Sequence, residues 1–201
     1  HILQMLFVFR RVRPPTCTRF SSSAASEVYK SQEFELAETC VASLTIEQLL
    51  EMTGKNDSVM SDLLPMKMTY GAIQGSDRLR DAICTMYAKQ TRENIVVTHG
   101  AIGANALVHE TLVEPGDHVI SVRPTYQQHY SIPESYGADV DILQLRPEHG
   151  FLPNLAELKA MVRPETKLIV LNNPNNPTGA LMEAEALDAF VAIARSCDAF
   201  V

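Results

Sequence analysis

The chain has 201 residues, 46% of them hydrophobic, and a formal net charge of −7. That length and apolar content can bury a core of one or two domains, and the composition excludes a collagen, a disordered polyelectrolyte or a disulfide scaffold. The acidic balance excludes ordinary nucleic-acid binding, which needs clustered Lys and Arg to neutralise phosphates.

Residues 1–26 stand apart: Arg10, Arg11, Arg13 and Arg19 occur there with no acid, and every Asp and Glu lies from Glu27 onward. The apolar run Ile2 to Phe9 is too short to span a bilayer, and its positive charges follow the apolar stretch, the reverse of a secretory signal. Arg-rich, Ser-rich and acid-free, the segment is expected to be an organellar transit peptide or a non-native extension outside the fold. The chain opens on His1 rather than an initiator, which reads as an incomplete or processed chain. The expected compartment is the cytoplasm, with the mitochondrion as the alternative. No membrane association is expected. Cys17, Cys40, Cys84 and Cys197 are far apart, with no C-x-x-C pair, so neither a zinc site nor a disulfide framework is expected. His109, His118 and His129 lack metal-ligand spacing and read as surface or satisfied core residues.

Thr45-Ile46-Glu47-Gln48 predicts a capping box, with Ile46, Leu49 and Leu50 on one helix face and Gly54 as the stop. Residues 56–68 read as irregular loop. Ser76 caps a helix carrying Leu79, Ala82, Ile83 and Met86 at i, i+3, i+4 and i+7. Strand and helix signals then alternate: a strand over Ile95–Thr98, a small-residue helix over Ala101–Val113, a turn at Glu114–Asp117, and a strand over His118–Val122. A helix over Gln127–Tyr136 and a strand over Val140–Leu145 follow. Next come a helix marked by Leu155, Leu158, Met161 and Val162, a strand over Lys167–Leu171, and a helix carrying Leu187, Phe190, Val191 and Ala194. Ala199–Val201 looks like the start of another strand. Such alternation predicts an α/β fold with a parallel-rich sheet flanked by helices, whose ligands sit beyond the carboxyl ends of the strands.

Three unusual segments follow strands directly. Gly100-Ala101-Ile102-Gly103 puts small residues before a helix N-terminus, where free backbone N–H groups and the helix dipole favour an anion. By itself the same segment serves a tight turn, and it is not the G-x-G-x-x-G of a nicotinamide site. Pro124-Thr125-Tyr126 places a ring that can stack on a flat heteroaromatic group or pack under a loop. The third segment, Asn172-Asn173-Pro174-Asn175-Asn176-Pro177-Thr178-Gly179, contains a common turn motif. Asn176 can offer an amide N–H to a phenolic oxygen, and Pro177 cannot continue a central strand.

Together with Tyr70-Gly71-x-x-x-Gly75-x-x-x-Leu79-Arg80, these ordered segments resemble the class I/II aminotransferases, the pyridoxal 5'-phosphate (PLP) transferases of fold type I, of which aspartate aminotransferase is typical. The likeness covers about residues 34–201 and rests on four motifs. It implies that Gly100, Ala101 and Ile102 donate backbone N–H bonds to the cofactor phosphate, that Tyr126 stacks on the pyridine, and that Asn176 bonds the phenolic oxygen. It further implies that Tyr70 reaches the phosphate of a neighbouring subunit, hence a homodimer when full length. On the same basis, residues 27–69 begin the small domain and residues 70–201 form the first part of the large PLP-binding domain. The implied reaction moves an amino group between an amino acid and a 2-oxo acid.

Two departures bear on that expectation. Ile102 stands where the family often has another residue after the phosphate-turn alanine, so only its backbone can serve. The family's pyridine aspartate and Schiff-base lysine, in an S-x-x-K context, would come after Val201, and Lys30, Lys55, Lys67, Lys89, Lys159 and Lys167 all lie outside such a context. The 201-residue chain alone is therefore expected to be inactive, an N-terminal portion of an enzyme or else a non-catalytic fragment. Leu36-Ala37-Glu38 resembles the L-A-E of aminocyclopropanecarboxylate synthases, so a PLP-dependent carbon–heteroatom lyase is the alternative chemistry. Glu38 is then a substrate contact, or else a solvated acid.

Overall fold

Parallel strands cannot be joined by a tight turn; each return needs a crossover, and helices supply it. The computed structural model describes residues 42–54 and 59–201, and Ser43–Val201 forms one unit. The expectations for residues 1–26, for Leu36-Ala37-Glu38 and for Lys30 and Lys55 lie outside the described residues. Three strands, β1 (His118–Arg123), β2 (Asp139–Gln144) and β3 (Thr166–Val170), make a parallel sheet in the order β2-β1-β3. The central strand is buried over its first five residues, as expected of a strand covered on both faces.

Seven α-helices accompany the sheet among the described residues: α1 (Ile46–Thr53), α2 (Val59–Leu63), α3 (Asp77–Cys84), α4 (Gly100–Leu112), α5 (Gln128–Ser135), α6 (Leu155–Met161) and α7 (Ala184–Ser196). On one face of the sheet, Ile120, Val122, Leu143 and Ile169 pack with Leu158 of α6 and with Phe190 and Ala194 of α7. On the other, Val119 and Leu168 pack with Val113 and Leu112 at the end of α4. Alternate residues of β1 therefore serve opposite cores, which is the period of two that a strand imposes.

The amino ends of the strands are tied by polar groups. His118, fully buried, places Nδ1 2.8 Å from Thr166 Oγ1 and Nε2 3.1 Å from Asp141 Oδ2. Thr166 Oγ1 already accepts the Arg163 N–H at 2.7 Å, so its own proton is free for His118 Nδ1. Nε2 then carries the ring proton and donates to Asp141. Arg163 completes the set with bonds of 2.6 Å to Asp139 and to Asp141. His118 is thus a satisfied core residue, as its spacing suggested.

Most elements fall where the sequence placed them. Thr45 and Gln48 form both bonds of the capping box, and Gly54 ends α1 with φ 65°. Three expectations need correction. Residues 59–63, read as loop, form the short helix α2. Ile95–Thr98 is not a strand: Ile95 is extended, and Val97 N–H donates to Gln74 O at 2.9 Å, but no sheet neighbour lies beside the segment among the described residues. A β-branched run sets an extended backbone, whereas a strand also needs a partner. In α3, Leu79 stays largely exposed, and Met86, also exposed, lies past the end of the helix; the buried residue is Arg80, whose guanidinium donates twice to the Arg92 carbonyl. Phe200 forms a parallel bridge to Leu168, with Ile169 N–H donating to Phe200 O and Phe200 N–H donating to Lys167 O, in keeping with the start of a strand expected over Ala199–Val201.

Candidate functional site

The helix α4 carries 13 residues, about 20 Å of rise, and its carboxyl end packs beside the start of β1. Its amino end is thereby carried toward the opposite, carboxyl end of the sheet. Gly100 opens this helix with φ 72°, His99 makes no side-chain cap, and the first turn holds no acid. The leading N–H groups are therefore left to an outside acceptor, and the local charge favours an anion.

Beyond β1, Tyr126 is about half exposed. Its ring lines a shallow groove of about 430 Å³ with Ile102, Gln128 and Ile132, so the α4 amino end and the β1 loop open onto one surface. His129 supports the tyrosine edge-on, with ring centroids 5.9 Å apart, and its Nδ1 lies 3.2 Å from Thr125 Oγ1.

The loop after β3 is tied to the loop after β1. Asn175 is buried, and its Nδ2 donates to Pro124 O at 3.1 Å and to Thr178 Oγ1 at 2.8 Å. Its own backbone N–H donates to Ala180 O, and its carbonyl accepts from Gly179 N–H. Asn176 is half-buried, with its N–H donating to Asn172 Oδ1 at 2.7 Å. Asn173 pairs with both backbone groups of Met182, a residue of the core. The loop is thus closed by its own asparagines rather than by sheet ladders, which explains why so many are needed.

The structure therefore brings Ile102 to Tyr126, and ties the turn of Asn176 to the turn of Tyr126 through Asn175. It leaves Tyr70 fully exposed in the loop of residues 69–75. Glu38 lies outside the described residues. Lys67 and Lys89 lie in loops, Lys159 on α6, and Lys167 near the amino end of β3 with Nζ over the Phe200 ring. None of these is in the three loops. Among the described residues there is no cluster of acids, histidines and cysteines that could hold a metal.

Two residues escaped the sequence reading. His129 recurs three positions after Tyr126, so an aromatic just before a helix with a polar ring at i+3 was the available signal. Asn175 was hidden within an asparagine run, where no rule distinguishes one amide from the next. His109 differs from its expectation in another way: it is buried, and Nδ1 has no partner.

Burial holds both His109 and His129 below the ordinary imidazole value of 6.5, and for His109 the neighbouring His129 adds to it. Above that value neither group binds a proton in either state. As pH falls through 6.5 the unfolded chain takes up protons first, so stability is lost on the acid side. Urea denaturation from about pH 8 to about pH 5 is expected to show this decline. It should be shallower in His109→Leu.

These residues fit a flat, phosphate-bearing ring: an uncapped helix terminus without acids, a half-exposed aromatic face beside it, and an amide-rich turn bonded to the aromatic loop. The family model described as "Aminotransferase class I and II" matches residues 61–201. A PLP-dependent aminotransferase from Streptococcus suis superposes with a TM-score of 0.82 at 42% identity, over 88% of this chain and 48% of that one. The aspartate/prephenate aminotransferase of Thermus thermophilus is 30% identical over 140 residues, 67% of this chain and 36% of that protein. The capreomycidine synthase of Streptomyces vinaceus is 35% identical over 113 residues, 56% of this chain and 29% of that protein. The chain belongs to the class I and II aminotransferase family. It spans 48% or less of the length of these relatives. No helix among the described residues is long and apolar enough to cross a membrane.

Proposed function

We propose that the protein carrying this chain is a PLP-dependent aminotransferase that moves an amino group between an amino acid and a 2-oxo acid, and that these residues form one side of its cofactor cradle. The observation that carries this is the meeting of three segments at one end of the sheet, with Ile102 and Tyr126 on a common groove and Asn175 bonded to Pro124.

In this proposal the backbone N–H groups of Gly100, Ala101 and Ile102 hold the phosphate, aided by the α4 dipole. Tyr126 holds the ring face, and His129 keeps Tyr126 from rotating. The Asn176 amide donates to the phenolic oxygen and stabilises its negative charge. When bound, PLP supplies the electron sink for negative charge at the substrate's α-carbon. The chain's own contribution is orientation, holding the ring so that the breaking bond lies along the π system.

Residues 27–69 are assigned to the small domain and residues 70–201 to the cofactor domain. The exposed Tyr70 supports a homodimer in which it reaches a neighbouring phosphate. The cytoplasm is the proposed compartment, with the mitochondrion favoured instead by the acid-free residues 1–26.

The test is product analysis on the full-length protein supplied with PLP, amino acids and 2-oxo acids. A new amino acid formed at the expense of an oxo acid is the expected result. Product formed without any oxo acid would instead identify a lyase of the kind Glu38 would serve. Tyr126→Ala is expected to weaken PLP binding about tenfold, the value of one stacked ring at roughly 1.4 kcal/mol, measured by equilibrium titration.

A further inference from the structure

We infer that Asn175 is a positioning residue for the cofactor site, locking the turn that presents Asn176 to the turn that presents Tyr126; the inference rests on the function proposed above. Its bond to Pro124 O joins positions 51 apart in sequence, across the exits of β1 and β3. Pro124 immediately precedes Thr125 and Tyr126, and Asn175 immediately precedes Asn176. One side chain therefore sets the distance between the ring-stacking group and the amide donor.

The chemistry of the position singles out an amide. Both Nδ2 protons are used, one on Pro124 O and one on Thr178 Oγ1. An aspartate would set an acceptor against the Pro124 carbonyl, and a hydroxyl is shorter and has one proton. Reversing the amide would do the same as aspartate, so the network assigns its orientation. Its Oδ1 is buried without a partner, a desolvation cost that an apolar residue would avoid. An amide kept there at that cost indicates that the two donors are what the position needs. Backbone bonds on both sides, Asn175 N–H to Ala180 O and Gly179 N–H to Asn175 O, leave the turn little freedom once the side chain is locked.

The test uses the full-length protein with PLP and compares Asn175→Ala, Asn175→Asp, Asn176→Ala and the 175/176 double alanine variant. Three quantities are read: PLP affinity, the pH midpoint of the bound cofactor's visible absorption, and the melting temperature of the cofactor-free protein. Asn175→Ala is expected to weaken PLP about tenfold (about 1.4 kcal/mol) and to move the midpoint in the same direction as Asn176→Ala. The double variant should move it no further than Asn176→Ala alone, because Asn175 acts through Asn176. Asn175→Asp, equal in shape but without the donors, should behave as alanine does. Should alanine prevent folding, Asn175→Ser is the milder variant, with the same expected direction. A melting temperature that falls while the midpoint stays in place, or a double variant whose shift is the sum of the two, would overturn the inference alone. A wild-type protein that binds no PLP would overturn the proposed function along with it.

Discussion

Replacing Gly75 with alanine is expected to destabilise the folded chain by roughly 3 kcal/mol, read as a shift of the urea midpoint. Gly75 adopts φ 96°, where a side chain is strained, and a Cβ there would lie 2.5 Å from Val97 Cγ2 and 2.7 Å from Val97 Cβ. Both atoms belong to a β-branched residue held by its own backbone bond to Gln74 O, so neither can give way cheaply. Val97→Gly, which removes both atoms, should recover the steric share of the loss in the double variant and leave the share due to positive φ. An additive cycle would show that the close approach is not the cause. The site should feel the change as well. Val97 lies three residues before Gly100, so displacing it moves the start of α4, and PLP affinity should fall together with stability.

Phe190→Ala is expected to cost about 4 kcal/mol. Phe190 has no exposed surface and sits on α7 against Ile120, Val122, Leu143 and Ile169, with Leu158 of α6 beside it. Rigid strands and helices surround the vacated space on all sides, so it cannot collapse, and the cavity adds to the lost transfer energy. Phe190→Leu should cost about 1 kcal/mol, since most of the volume remains. Met182 belongs to the same cluster and is bonded through its backbone to Asn173. Truncating Phe190 should therefore also loosen the asparagine loop. Faster hydrogen exchange at Asn176 and Ala180 is the expected sign, and unchanged exchange there would show that the loop is held independently of the core.

The elements that were legible from the sequence are those whose determinants are local. The Thr45–Gln48 capping box, the Gly54 stop and the Ser76 cap of α3, which accepts from Leu79 N–H, all involve groups within one or two helical turns. The strands over 118–122, 140–145 and 167–171 were legible because apolar and β-branched runs bounded by turns have few other uses. The Ile95–Thr98 run shows the limit of that argument. Propensity sets its extended backbone, but sheet membership depends on a neighbour that no local pattern names. Residues 59–63 fail in the opposite direction, forming a helix from a stretch with no marked cap or period.

Four motifs in order were enough to place this chain in its family and to name Gly100, Ala101, Ile102, Tyr126 and Asn176 as a candidate site. Residue chemistry made those positions candidates, and their likeness to the family's ordered motifs chose among the open readings. The choice of Arg80 rather than Leu79 for burial, the clamp of His118 across three strands and the bond from Asn175 to Pro124 were settled by folding. Each depends on groups that meet only when distant segments are brought together, and a buried polar side chain is tolerated only where a partner from elsewhere in the chain can satisfy it.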